Sequence, residues 1–232
     1  MRWREWRLGA GVLTVFLAGC GSETPPGQSR GSVDSTPASP RSGELSTIVF
    51  LGTSITAGLG VDPQEAYPAV IQQRLDSAGL RFQVINAGVS GESSSGSLKK
   101  ISWILRQPPA VLVIETGAND GLRGQDPEAV KGNIQAIIDS TRSRSPATRI
   151  VLAGMQALPN LGSRYVQRFV AIYPELAREN DIPLVPFILE GVAGVDSLNQ
   201  PDGIHPTVAG QRMVAENVWR ILEPVISQLS RR

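Results

Sequence analysis

The chain carries one cysteine and one histidine among its 232 residues. A single cysteine excludes an intrachain disulfide and any metal cluster built from several thiolates; a single histidine excludes any site that needs two imidazoles. Charge is also sparse. Asp, Glu, Lys and Arg make up 19% of the chain and the formal net charge is +1, whereas an ordinary domain is about a quarter charged. No long block of one sign exists, so nothing points to nucleic acid as a partner. No repeat of solenoid length is visible. The apolar stretch Leu8 to Leu17 is too short for a mature membrane-spanning helix, which needs about 20 such residues. What is present is a 41% apolar composition, enough for a sizeable core.

The N-terminus reads as a targeting segment. Arg2, Arg4 and Arg7 outweigh Glu5, the apolar stretch follows, and Leu17-Ala18-Gly19-Cys20 closes it. That tetrad resembles the lipobox of bacterial lipoproteins. The resemblance implies a signal peptide over residues 1–19, cleavage before Cys20, and lipidation of Cys20 as a membrane anchor. Several acyl chains at one residue would hold stably where a single chain binds only marginally. Gly21, rather than Asp, follows the cysteine, which in a Gram-negative envelope implies the outer membrane, periplasmic face. An ordinary signal peptide with a chance cysteine is the plainer alternative. Residues 21–44 are dominated by Ser, Pro and Gly, with Val33 and Ala38 the only apolar side chains. Such a segment cannot bury enough surface to offset its ordering entropy and reads as a disordered tether. The folded domain is therefore expected over residues 45–232.

Within it, short apolar runs alternate with helical patterns. Expected strands are 47–51, 82–86, 111–116, 149–153 and 184–187. Expected helices are roughly 64–79, 94–106, 127–143, 164–180 and 207–229. In the last, Val214, Val218, Ile221, Leu222 and Val225 fall on one helical face. This alternation predicts an α/β fold: a five-stranded parallel sheet with helices on both faces, in three α/β/α layers. Right-handed crossovers put every strand C-terminus on one edge, where such sheets bind ligands. The segments Gly52-Thr53-Ser54, Asn86-Ala87-Gly88 and Gly117-Ala118-Asn119-Asp120 all sit at that edge.

Ser54 directly follows the first strand. A serine is a weak nucleophile until a base takes its proton. His205 is the only imidazole, and Asp202, three residues earlier, is placed to orient it and to stabilise its cation. A tetrahedral intermediate also needs donors for its oxyanion. Candidates are the Ser54 N–H, the Gly88 N–H, whose lack of a side chain permits close approach, and the Asn119 amide. Taken singly, Asp202 and Asn119 read equally well as turn residues. Asp120 reads as a structural hydrogen-bonding group, and Glu115 receives no role. Met155, Leu158, Leu161 and Tyr165 line an acyl pocket or pack a core.

In order, Gly52-Thr53-Ser54, Gly88 within INAGVSGE, Gly117-Ala118-Asn119-Asp120 and Asp202-Gly203-Ile204-His205 resemble the four blocks of the SGNH (GDSL-type) hydrolases. The resemblance spans about residues 47–222. It is strongest toward the bacterial esterases, acyl-CoA thioesterases and lysophospholipases, whose loop after the fourth strand is similar to Gly154-Met155-Gln156, Pro159-Asn160, Gly162 and Tyr165. It implies a flavodoxin-like sheet, Ser54 as nucleophile, His205 and Asp202 completing a triad, an oxyanion hole of Ser54, Gly88 and Asn119, and no metal or organic cofactor. Thr53 departs from the family pattern, which has aspartate there. Ala157-Leu158 departs from a proline pair common in the subgroup.

The expected function is a serine esterase acting as a monomer on small or medium acyl esters or thioesters. A carbohydrate O-acetyl esterase shares the fold and fits a surface tether. A non-catalytic envelope lipoprotein that binds through the edge cleft is the reading from another class.

Overall fold

Residue 45 opens the described part of the chain, which a computed structural model covers over residues 45–230. The segments expected to be a signal peptide and a tether, with Cys20 between them, lie outside the described residues. The first strand, β1 (Ser46–Gly52), is β-branched and apolar at its centre, and Ile48 to Leu51 are buried. It pairs in parallel with β2 (Phe82–Gly88) on one side and β3 (Val111–Glu115) on the other. The strands β4 (Arg149–Ala153) and β5 (Leu184–Val185) complete a five-stranded parallel sheet ordered β2-β1-β3-β4-β5.

Helices cover both faces. In chain order they are α1 (Ser54–Ala57), α2 (Tyr67–Ser77), α3 (Ser94–Ile104), α4 (Ala118–Leu122), α5 (Pro127–Arg144), α6 (Ser163–Asn180) and α7 (Val208–Ser230). The pair α2 and α7 pack together, as do α3, α5 and α6 in sequence. This split follows from handedness. The chain steps to one side of β1 to form β2 and to the other side for β3, β4 and β5, and right-handed crossovers then place the two sets of helices on opposite faces. The sheet order reverses between β1 and β3, so a crevice opens at their C-terminal ends.

The strand and helix positions agree with the sequence expectation to within a few residues, and the differences have local causes. The fifth strand ends at Val185 because Pro186 has no N–H to continue a ladder. The last helix begins at Val208, and Thr207 caps it, its Oγ1 accepting from the Gly210 N–H at 3.3 Å. The helix starting at Tyr67 carries a proline in its first turn, where a missing N–H costs nothing. The four-residue α1 and five-residue α4 are too short for any periodic signal. No helix among the described residues is long and apolar enough to cross a membrane.

The core lies on both sides of β3, whose five residues are all buried. Leu112 is fully buried there. Replacing it with alanine leaves a cavity between sheet and helices, and a cost of about 2–5 kcal/mol is expected. Urea unfolding monitored by circular dichroism would measure it as a lowered midpoint with unchanged slope.

Candidate active site

The β1 strand delivers Ser54 to the crevice as the first residue of α1. Thr53 before it is extended, at φ −98° and ψ −154°, and Gly58 in the left-handed region ends the helix. At the far end of the chain, a loop before α7 brings His205 back to the same point. It is shaped by an antiparallel bridge between Asn199 and Pro206 and by the Gln200 N–H donating to the His205 carbonyl at 2.7 Å. His205 Nε2 lies 2.9 Å from Ser54 Oγ. On the other side of the ring, His205 Nδ1 lies 2.7 Å from Asp202 Oδ2. Asp202 Oδ1 accepts the backbone N–H groups of Ile204 and His205, both at 3.0 Å. The hydrogen bond from His205 and these two backbone donors hold the Asp202 carboxyl well below the usual carboxylate range, at about 2. The aspartate thus stays ionised through the neutral range although its side chain is 46% exposed.

Ser54 and His205 open onto a cavity of about 530 Å³. Its walls are mostly apolar, formed by residues such as Leu122, Met155, Leu158, Phe187 and Leu189, and no Asp, Glu, Lys or Arg among the described residues lines it. Of the side chains expected to form an acyl pocket, Met155 and Leu158 do line it. Leu161 and Tyr165 do not; Tyr165 stacks on Phe169 and donates its hydroxyl to the Gln125 carbonyl at 2.7 Å.

The candidate oxyanion donors are only partly brought together. Asn119 lines the cavity; its Nδ2 gives one hydrogen bond to the Glu92 carbonyl at 3.1 Å and keeps a second N–H. The Ser54 N–H opens α1 and has no acceptor among the described residues. The Gly88 assignment is corrected. Gly88 is still inside the sheet, in register with Gly52, and its N–H donates to Asn86 Oδ1 at 2.9 Å. It is glycine because a Cβ there would lie 2.4 Å from the Ala57 nitrogen. Gly91, three residues on, is the glycine of that segment that lines the cavity with Ser54 and Asn119. Its φ of +79° favours glycine, and its N–H has no acceptor among the described residues. Two glycines three apart in INAGVSGE looked alike in sequence; the strand register distinguishes them.

Other polar groups fix the site from behind. Asp120 accepts from the Ser94 N–H and hydroxyl, each at 2.8 Å, at the start of α3, a structural role. Asn86 Nδ2 donates to the Thr56 carbonyl at 2.8 Å, tying α1 to β2. Gln211 from α7 accepts the Tyr67 N–H at 2.9 Å and donates to the Ile55 carbonyl. Among the described residues, no group of three or more His, Cys, Asp and Glu side chains is arranged to hold a metal ion.

Residues 50–213 match the model of the GDSL-like lipase/acylhydrolase family. The chain belongs to this family. It is similar to esterase TesA of Pseudomonas aeruginosa, at 40% identity over 181 residues, covering 78% of this chain and 89% of that protein. It is also similar to thioesterase 1/protease 1/lysophospholipase L1 of Escherichia coli, at 32% identity over 188 residues, covering 81% of this chain and 88% of that one. Among solved structures, the crystal structure of TesA superposes with a TM-score of 0.73 at 39% identity, covering 77% of this chain and 99% of that chain. AlinE4, an SGNH-hydrolase family esterase, gives 0.65 at 37%, covering 81% and 97%. The three-layer fold expected from sequence is therefore the fold of this family of hydrolases.

Within this family member, the two glycines of the second block should respond differently to a methyl group. Gly88→Ala pushes against the α1 backbone and is expected to destabilise the fold by about 1–3 kcal/mol. At Gly91 the nearest atom to an added Cβ is 4.0 Å away, so Gly91→Ala meets only the backbone penalty of about 1 kcal/mol. Thermal melts of the two variants, read beside ester turnover, check this ordering.

Proposed function

We propose that the chain hydrolyses acyl esters and thioesters through a covalent acyl-enzyme, with Ser54, His205 and Asp202 as its triad. The observation that carries this reading is the unbroken hydrogen-bonded line Ser54–His205–Asp202 at the floor of an apolar cavity. Ser54 Oγ attacks the acyl carbonyl while His205 Nε2 takes its proton. Asp202 holds the ring with Nδ1–H toward it, leaving Nε2 free as base, and stabilises the imidazolium as it forms. The carbonyl oxygen, now an oxyanion, receives the N–H groups of Ser54 and Gly91 and the second N–H of Asn119. His205 returns its proton to the leaving alcohol or thiol, and the C–O or C–S bond breaks. Water, deprotonated by the same imidazole, then releases the acid and restores Ser54.

The relatives named as esterase, thioesterase and lysophospholipase support an acyl ester over other substrates for this chain. The apolar cavity supports an acyl group longer than acetyl, and so favours this reading over sugar deacetylation. Each methylene buried in such a wall contributes up to about 0.8 kcal/mol. Turnover of p-nitrophenyl esters is therefore expected to rise by up to about fourfold in kcat/KM per added carbon until the wall is met. We also infer that Cys20 is lipidated and tethers the domain to the envelope, on the outer membrane if the cell has two. The lipobox-like tetrad and the Ser/Pro/Gly-rich segment after it support this. Cys20→Ala should then shift the protein from the membrane to the soluble fraction.

The deciding experiment uses the full chain in detergent on p-nitrophenyl esters from acetate to palmitate. Ser54→Ala is expected to lower kcat at least about a thousandfold, and Asn119→Ala about 10²–10³-fold with KM little changed. Full turnover by Ser54→Ala would end the serine esterase reading. Activity is also expected to fall on acidification, because a protonated imidazole cannot act as base. Asp202 does not set that limb. Its carboxyl is depressed to about 2, so it gains a proton, and its contribution is lost, only as pH falls through that value. An acid limb that appears only near pH 2–3 would exclude His205 as base.

A further inference from the structure

The last residue of the central strand, Glu115, is a fully buried carboxylate that the hydrolytic steps do not use. It sits directly beneath the turn that carries the nucleophile. One of its oxygens, Oε2, accepts the Thr53 N–H at 2.7 Å and the Thr56 hydroxyl at 2.8 Å. The Thr53 hydroxyl lies within reach of both oxygens, at 2.9 and 3.0 Å. These donors bracket Ser54 along the chain, one residue before it and two after. Gly52 shows how closely the carboxylate is packed, since a Cβ there would lie 2.7 Å from Glu115 Oε2.

An isolated helix of four residues is not stable in water. The conformation of α1, and with it the position of Ser54 Oγ, is therefore imposed by what holds it. We infer that Glu115 is a positioning residue for the nucleophile, its carboxylate fixing the Ser54 turn, and that Thr53 is the donor that satisfies this carboxylate without a shared proton. The inference rests on the reading of Ser54 as nucleophile. It also accounts for the departure from the family pattern. An aspartate at 53 would set a second carboxyl against Glu115, and two such groups in one buried space must hold a proton between them. Thr53 brings its own hydrogen. The titratable neighbours are Tyr67 from α2, linked to Glu115 through the Thr56 hydroxyl at 2.8 Å, and Tyr173 from α6. Burial, and second the charge of Glu115, push both phenols well above their ordinary value. Among the described residues, no lysine, arginine or histidine is a hydrogen-bond partner of Glu115. Burial likewise pushes its carboxyl up, against the lowering effect of the hydrogen bonds from Thr53 and Thr56.

The test is a pH-rate series on the full chain with one medium-chain p-nitrophenyl ester, using Glu115→Gln, Thr53→Asp, the double variant and Ser54→Ala. Glu115→Gln keeps one acceptor oxygen and replaces the other with an NH2 donor, where the turn supplies only donors to both. It is expected to lower kcat about a hundredfold, the scale of a 1 Å misplacement, with KM changed less than about threefold. Thr53→Asp is expected to be active near neutrality and to gain a falling alkaline limb absent from wild type. As pH rises the shared proton leaves, and the two carboxylates repel the turn. The double variant has a single carboxyl again, so it loses that limb and recovers at least about tenfold of the Glu115→Gln loss, a non-additive cycle. A Glu115→Gln enzyme within about threefold of wild-type kcat, with Ser54→Ala inactive, would overturn the inference and leave the esterase reading intact. If Glu115→Gln fails to fold, the Thr53→Asp profile decides: a profile parallel to wild type overturns the inference, and the new limb supports it. Wild-type turnover that survives Ser54→Ala would remove the esterase reading and this inference together.

Discussion

The 2.9 Å contact between Ser54 and His205 joins residues 151 positions apart, and the fold's geometry converges on it. A hydroxyl fixed at the end of β1 is reachable only from other C-terminal strand edges. The reversal of sheet order beside β1 opens a crevice there. The chain must then cross the whole sheet to β5 and return through the loop before α7. That loop has little regular structure, and the Asn199–Pro206 bridge and the Gln200 bond to the His205 carbonyl supply its rigidity. The helix that follows is docked to the Ser54 turn by Gln211, which reaches the Ile55 carbonyl. Both ends of the contact are thus tied to the same buried frame.

Two carboxylates serve that contact under opposite conditions. Asp202 lies half-exposed on a loop, so its charge is cheap to maintain, and His205 and two backbone N–H groups select the ionised form. Glu115 is fully buried, and its hydrogen-bond partners among the described residues are Thr53 and Thr56. Its stability depends on the hydroxyl and N–H donors around it, because an unsatisfied buried carboxylate is costly. A surface carboxylate can follow the motion of the histidine it orients, whereas a buried one fixes whatever it holds. The exposed carboxylate thus holds the His205 ring, and the buried one holds the turn that carries Ser54.

Much of this was legible in the sequence, for identifiable reasons. Ser54, Asp202 and His205 stood out because the chain has a single histidine with an acid three residues before it and a serine directly after an apolar strand. The central strands were legible as short continuous apolar runs, and the long helices because each buries a periodic face. The second glycine was misassigned because INAGVSGE does not reveal where the strand stops; Gly88 proves still to be paired with Gly52, and Gly91 reaches the cavity. Glu115 carried a signal that went unused. A carboxylate ending the run Val111-Leu112-Val113-Ile114 must be buried with donors, and the hydroxyls of Thr53 and Thr56 flank the serine. Which donors meet it depends on strand order, and no local pattern encodes that.

The cavity completes the division of labour. No Asp, Glu, Lys or Arg among the described residues lines its walls, so on the proposed reading no carboxylate there competes with an oxyanion for the few oriented donors near Ser54. In apolar surroundings those N–H groups interact more strongly with developing charge than they would in water. The same walls recognise a substrate only by buried area and shape, which is a graded form of selection. On the proposed reading, selection is constrained chiefly by how far an acyl chain can extend between the loops after β3, β4 and β5, the part of the structure in which Ala157-Leu158 departs from the subgroup's sequence.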